Sequence, residues 1–143
     1  MIAPSVRPSW LTAHPIAHRG LHERADGRIE NSPAAARAAI ERGFAIECDV
    51  QMSADGEAMV FHDFDLDRLT AETGRLQDRT AAALARIGLT GSHDRIPALP
   101  DFLDLIGGRV PLVVEIKSAF DGDLRLARRT SELVAGRAAP VAI

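Results

Sequence analysis

Residues 110–117, VPLVVEIK, restrict the fold of this chain more than any other stretch. A run so rich in valine, leucine and isoleucine, ending on Glu115 and Lys117, reads as a strand buried on both faces, the kind found in parallel sheets. A helical pattern stands on either side of it, over Pro97–Ile106 and over Asp121–Ala135, and each is followed by a glycine stop. Upstream, Pro15–Arg19 reads as a strand, and NSPAAARAAIERG as a helix capped by Ser32, opened by Pro33 and ended at Gly43. The next segment, AIECDVQM, alternates: Ile46, Cys48, Val50 and Met52 take one face, and Glu47, Asp49 and Gln51 the other. Asp55-Gly56 marks a turn, AMVFHD a returning strand, Thr80–Ile87 a weak helix, and PVAI at 140–143 a further strand. Strands alternating with helices predict a parallel α/β architecture. No repeat, linker or low-complexity segment interrupts it.

At 143 residues the chain is long enough for one domain with a real core. Its 17 Lys+Arg against 20 Asp+Glu, with no basic run, leave no footprint for nucleic acid. The single Cys48 cannot form an intrachain disulfide. The first 15 residues carry three prolines and no apolar run, so they fit neither a signal peptide nor a membrane span. A cytoplasmic protein is the expectation.

The chemistry-bearing residues gather at strand ends. Glu47 and Asp49 lie two apart on one strand, and Glu115 and Lys117 two apart on another. Neighbouring parallel strands would aim these groups into one mouth. Three converging carboxylates repel one another unless a cation joins them, and an all-oxygen donor set favours Mg²⁺ or Ca²⁺ over zinc. Taken singly, each pair could equally mark a solvated strand face. Both pairs, however, lie among isoleucine, valine and leucine. A two-residue hairpin at Asp55-Gly56 would pair Ala54 with Glu57 and Met52 with Met59, and would set His62 opposite Asp49. His18 and His62 then stand at strand ends near acids. Two histidines can take and return a proton within one cycle. Arg19 offers a fixed fork of donors to a phosphate, and Lys117 a second cation. Positive charge around one point, with two proton carriers, suits cleavage of a phosphodiester.

HRG at 18–20, EN at 30–31, IECDV at 46–50, DG at 55–56, HD at 62–63 and VEIK at 114–117 occur in the order seen in the glycerophosphodiester phosphodiesterases. From about Ile16 onward the chain resembles this family, a branch of the phospholipase C-like phosphodiesterase barrels. The resemblance implies a (β/α)8 barrel with its site at the C-terminal ends of the strands. Carried over residue by residue, it implies Glu47, Asp49 and Glu115 as metal ligands and His18 and His62 as the acid/base pair. It implies Arg19 and Lys117 as phosphate contacts and Asn31 as a site-lining residue. Glu30 matches the motif without an assigned role. The implied reaction is hydrolysis of a glycerophosphodiester, a small-molecule substrate, to an alcohol and glycerol 3-phosphate. A neighbouring glycerol hydroxyl attacks phosphorus, and water opens the resulting cyclic phosphate.

A barrel of this kind needs about 250 residues. The expectation is therefore an irregular leader over 1–14 and, over 15–143, the N-terminal part of an incomplete barrel domain. An open sheet edge at VPLVVEIK and PVAI would invite self-association. Two other readings compete: a related barrel acting on lysophospholipid or sphingolipid headgroups, and an inactive half-barrel. Of the remaining candidates, His14 lies in the leader, His22 and His93 are expected in solvent, and Cys48 is expected among the helices. Asp63 could help position a ligand or cap a turn, with the turn slightly favoured, and DRLT at 67–70 is read as structural.

Overall fold

The structure, a computed structural model, describes residues 8–137 and 139–143. Part of the expected leader, 1–7, lies outside the described residues; within the rest, Ser9–Thr12 form one 3-10 turn. Four strands make a parallel path, β1 (Ile16–Ala17), β2 (Ala45–Met52), β4 (Leu112–Ile116) and β5 (Val141–Ala142), in that spatial order. A further strand, β3 (Ala58–Val60), pairs antiparallel with the end of β2. Helices α1 (Pro33–Glu41), α2 (Ala81–Leu84), α3 (Leu99–Ile106) and α4 (Arg125–Val134) fill the intervals.

Local chemistry accounts for the helix ends. The Ser32 hydroxyl accepts from the Ala35 N–H at the start of α1, a cap contributing about 1 kcal/mol. Thr80 caps α2 in the same way through Ala83. Gly107, in the left-handed conformation, ends α3. Helix α4 begins four residues later than the pattern suggests. Asp121 and Asp123 instead accept from the N–H groups of Asp123 and Arg125, a turn that also uses Gly122 at φ 86°.

One apolar core lies between the sheet and its helices. Ile46, Cys48 and Val50 of β2 and Leu112 and Val114 of β4 pack there against Ala36, Phe102 and Leu126. Cys48 is fully buried among them, as expected, and that burial pushes its thiol pKa well up. A second cluster, with Met59, Phe61, Leu66, Leu76 and Ile96, supports the long excursion between β3 and α3.

Strand β4 is not buried on both faces. Leu112 and Val114 are buried, but Val113 is half-buried and Glu115 exposed. Register puts Glu47 beside Val113 and Asp49 beside Glu115, so this second face is the one that carries the carboxylates.

The hairpin register also differs from the expectation. Val50 pairs with Val60, Gln51 with Met59 and Met52 with Ala58, one residue short of the two-residue-turn alignment. The connection is longer because Ser53 pairs with Glu57 across Ala54, Asp55 and Gly56. Asp55 accepts from the Ser53 hydroxyl at 2.6 Å and from the Ala81 N–H at 2.8 Å. The Ser53 hydroxyl in turn accepts from the Glu57 N–H. Gly56 supplies the left-handed residue, φ 85°, that a three-residue loop requires. The shift turns Met59 and Phe61 toward the second cluster, and Phe61, not His62, donates to the Asp49 carbonyl.

Candidate active site

The site is built at the C-terminal ends of β1, β2 and β4. Strand β1 stops at Ala17 because Arg19 and Gly20 both take positive φ, 58° and 79°. For arginine that conformation is uncommon and held by its surroundings. It aims the Arg19 N–H at Glu47 Oε2, 2.8 Å away. Gly20 is required twice: a Cβ there would stand 2.8 Å from the Ala35 Cβ, and its φ disfavours any side chain. The loop thus lies close against α1, and His18 is left exposed at the rim, its Nε2 3.9 Å from Glu47 Oε2.

Asn31, also at positive φ (59°), joins the two loops. Its N–H donates to the Arg19 carbonyl at 2.8 Å, its Nδ2 donates to Asp49 Oδ2 at 2.9 Å, and its Oδ1 accepts from the Asp49 N–H at 3.2 Å. Asn31 is buried, so these bonds fix the Asp49 carboxylate rather than decorate a surface.

Glu47, Asp49 and Glu115 each bring one carboxylate oxygen into a group whose members lie within 4.8 Å of one another. Arg19 Nε is 3.4 Å and Lys117 Nζ 3.0 Å from Asp49, and Lys117 donates to Glu115 at 2.6 Å. Glu47 Oε1 is buried with no hydrogen-bond partner among the described residues. Burial raises the Glu47 pKa; the Arg19 N–H opposes this and the nearby Asp49 charge adds to it. Burial also works against the Lys117 charge, but its bonds to Glu115 and Asp49 outweigh that and raise its pKa. An unpartnered buried oxygen within an all-carboxylate donor set fits a hard divalent cation.

His62 does not stand opposite Asp49. It follows β3, with its Nδ1 2.7 Å from Asp63 Oδ1. Gln51, on the carboxylate face of β2, donates from Nε2 to the carbonyls of both His62 and Asp63 and so holds this loop at the site. Asp63 therefore does more than shape a turn. Arg68 donates to both of its oxygens, at 2.6 and 2.9 Å, and these bonds hold the carboxyl down at about 2. Arg68 also donates to both oxygens of Glu30, at 2.9 and 2.6 Å, and Arg19 donates to Glu30 at 2.9 Å. Sequence reasoning missed Arg68 and gave Glu30 and Gln51 no role, and it favoured a turn for Asp63. The motif match of Glu30, the strand face of Gln51 and the His62-Asp63 adjacency hinted at three of them, but the bonds themselves join distant segments. His22 and His93 are exposed, as expected, and His14 is exposed too.

Carboxylates and paired cations at the C-terminal ends of parallel strands, with one histidine after β1 and another after the antiparallel β3, mark an α/β protein whose site lies where parallel sheets carry theirs. The family model for the glycerophosphoryl diester phosphodiesterases matches residues 18–123. The chain belongs to this family. It is 38% identical over 111 residues to the glycerophosphodiester phosphodiesterase of Caldanaerobacter subterraneus, an alignment covering 72% of this chain and 44% of the relative. Its fold superposes on a phosphodiesterase of Oleispira antarctica, solved in complex with the product sn-glycerol-3-phosphate, with a TM-score of 0.78 at 24% identity. That superposition covers 90% of this chain and 55% of the other. With the glycerophosphodiester phosphodiesterase of Agrobacterium tumefaciens the TM-score is 0.69 at 29% identity, covering 84% and 53%. The chain thus spans about half the length of these relatives and supplies about half of their (β/α)8 barrel. No helix among the described residues is long and apolar enough to cross a membrane.

Proposed function

We propose that the chain carries the catalytic half of a cytoplasmic glycerophosphodiester phosphodiesterase, which hydrolyses glycerophosphodiesters to an alcohol and glycerol 3-phosphate. The observation that carries this reading is the convergence of Glu47, Asp49 and Glu115 donors within 4.8 Å, flanked by Arg19 and Lys117. The product bound to the Oleispira antarctica relative agrees with it. A divalent cation held by Glu47, Asp49 and Glu115, Mg²⁺ or Ca²⁺, would supply Lewis-acid charge neutralisation at the phosphate.

The side chains do the rest. Arg19 and Lys117 orient the phosphate oxygens. One of His18 and His62 takes the proton of the neighbouring glycerol hydroxyl as its oxygen bonds to phosphorus. The other gives a proton to the departing alcohol as the second P–O bond breaks. Water then opens the cyclic phosphate with the two roles exchanged, so the histidines end as they began.

Glycerophosphocholine is the test substrate. The expected result is release of choline and glycerol 3-phosphate in the presence of Mg²⁺ or Ca²⁺, lost on thorough chelation and restored by adding the cation back. Turnover that survives chelation would remove the metal from the proposal. Turnover of lysophosphatidylcholine but not of glycerophosphocholine would replace the substrate class.

The sheet edge suggests a partner. Among the described residues β5 pairs only with β4, and its outer backbone groups have no strand beside them. At the other end of the path the Ile16 side chain of β1 is exposed. Edges of this kind recruit a second strand. The 143-residue chain on its own is expected to sediment as a dimer or larger species, and a concentration-independent monomer would count against self-association through the edge.

A further inference from the structure

His62 and the phosphate contact Arg19 lie on different loops, and one guanidinium joins them. Arg68 forks onto Asp63 through Nε and one terminal nitrogen, and onto Glu30 through both terminal nitrogens, with all four bonds between 2.6 and 2.9 Å. Asp63 in turn bonds the His62 ring, and Glu30 bonds Arg19. Glu30 lies in the loop after β1 and Arg68 in the excursion after β3, 38 residues apart. Ion pairs this near the surface stabilise a fold little, on the order of 1 kcal/mol or less. Four oriented bonds from one group set geometry instead.

That geometry has a consequence for His62. A carboxylate only accepts hydrogen bonds, and both oxygens of Asp63 are engaged by Arg68. The neutral His62 ring must then carry its proton on Nδ1, the nitrogen 2.7 Å from Asp63, which leaves Nε2 free to exchange a proton. We infer that Arg68 is a positioning residue for the reaction proposed above: it holds Asp63 so that Asp63 fixes the Nδ1–H form of His62, and through Glu30 it sets Arg19 at the same time. Arg68 itself touches no reacting atom.

Histidine ring-¹⁵N spectra of the 143-residue chain test this, in solution or on sedimented protein, at alkaline pH where imidazoles are neutral. His62→Gln identifies the His62 signals. The parent chain is expected to show a protonated Nδ1 and a bare Nε2. Arg68→Ala and Arg68→Lys should both move His62 several-fold toward the Nε2–H form. Arg68→Lys keeps the charge and removes the fork, and it serves where Arg68→Ala does not fold. A parent ring already protonated on Nε2, or a tautomer ratio unchanged in the variants, would overturn the inference. In turnover of glycerophosphocholine, kcat should fall about 10-fold or more with KM altered less, the scale seen when an outer partner that orients a site group is lost. An unchanged kcat would also overturn it. If the parent chain is inactive yet its tautomer responds to Arg68, the proposed reaction fails while the positioning role stands.

Discussion

Glu47→Gln is expected to raise the thermal stability of the cation-free chain and to abolish its response to Mg²⁺ or Ca²⁺. Two observations lead to this pair of opposite effects. Among the described residues Glu47 Oε1 is buried without a hydrogen-bond partner, and its donor group includes two further carboxylates. Burial first, opposed by the Arg19 N–H and reinforced by the Asp49 charge, lifts the Glu47 pKa above its ordinary 4.5. A carboxyl whose folded pKa is raised binds its proton more tightly in the native state. In the cation-free chain its ionisation therefore lowers stability as pH rises from about 4.5 through the folded value, and the loss is complete above it. Glutamine removes that loss at neutral pH, and its carbonyl can keep the Arg19 N–H bond. The parent should gain about 2.7 kcal/mol at a cation concentration 100 times its Kd, and the variant nothing. Melting curves with and without Mg²⁺ or Ca²⁺ measure both effects. A variant that melts lower than the cation-free parent, or still responds to the cation, would contradict the account.

Replacing either histidine is expected to lower turnover of glycerophosphocholine by about 10²-fold or more, the scale of lost general acid–base help. His18 is exposed, with 68% of its side chain accessible, and approaches the site at Glu47, 3.9 Å away. His62 is fixed by Asp63, and its loop by Gln51. His18→Ala should therefore leave melting and cation binding near those of the parent. His62→Ala should leave cation binding intact too, because the proposed ligands lie on β2 and β4. A substrate with a good leaving group, such as a nitrophenyl ester, should partly rescue the variant that lost the general acid and not the other. Equal losses for both variants on good and poor leaving groups would remove the division of labour between them.

Much of this molecule is readable from local pattern. Alternation along AIECDVQM sets Glu47, Asp49 and Gln51 on one face and Cys48 on the other, because a strand reverses its side chains at every residue. The Ser32, Thr80 and Gly107 helix ends follow from hydrogen bonding and backbone freedom within a few residues. The convergence of Glu47, Asp49 and Glu115 needs only the assumption that two such strands are parallel neighbours, and they are. The spacing of the motifs was enough for the family.

What local pattern could not supply was whatever depends on segments far apart in the chain. The hairpin slipped by one residue because Asp55 bonds Ala81 as well as Ser53, a contact across 26 positions. The second face of β4 is open because it belongs to the site, a property of the whole sheet and not of the VPLVVEIK run. Arg68 reads as a loop residue until folding brings Glu30 and Asp63 to its two sides. The sequence by itself determined the order of strands and helices and the two faces of β2, since each rests on neighbours one to four residues apart. The tertiary structure alone decided which nitrogen of His62 faces Asp63, how Asn31 fixes Asp49 and how Arg19 is held, since directional hydrogen bonds between distant loops exist only once the packed core has set those loops side by side.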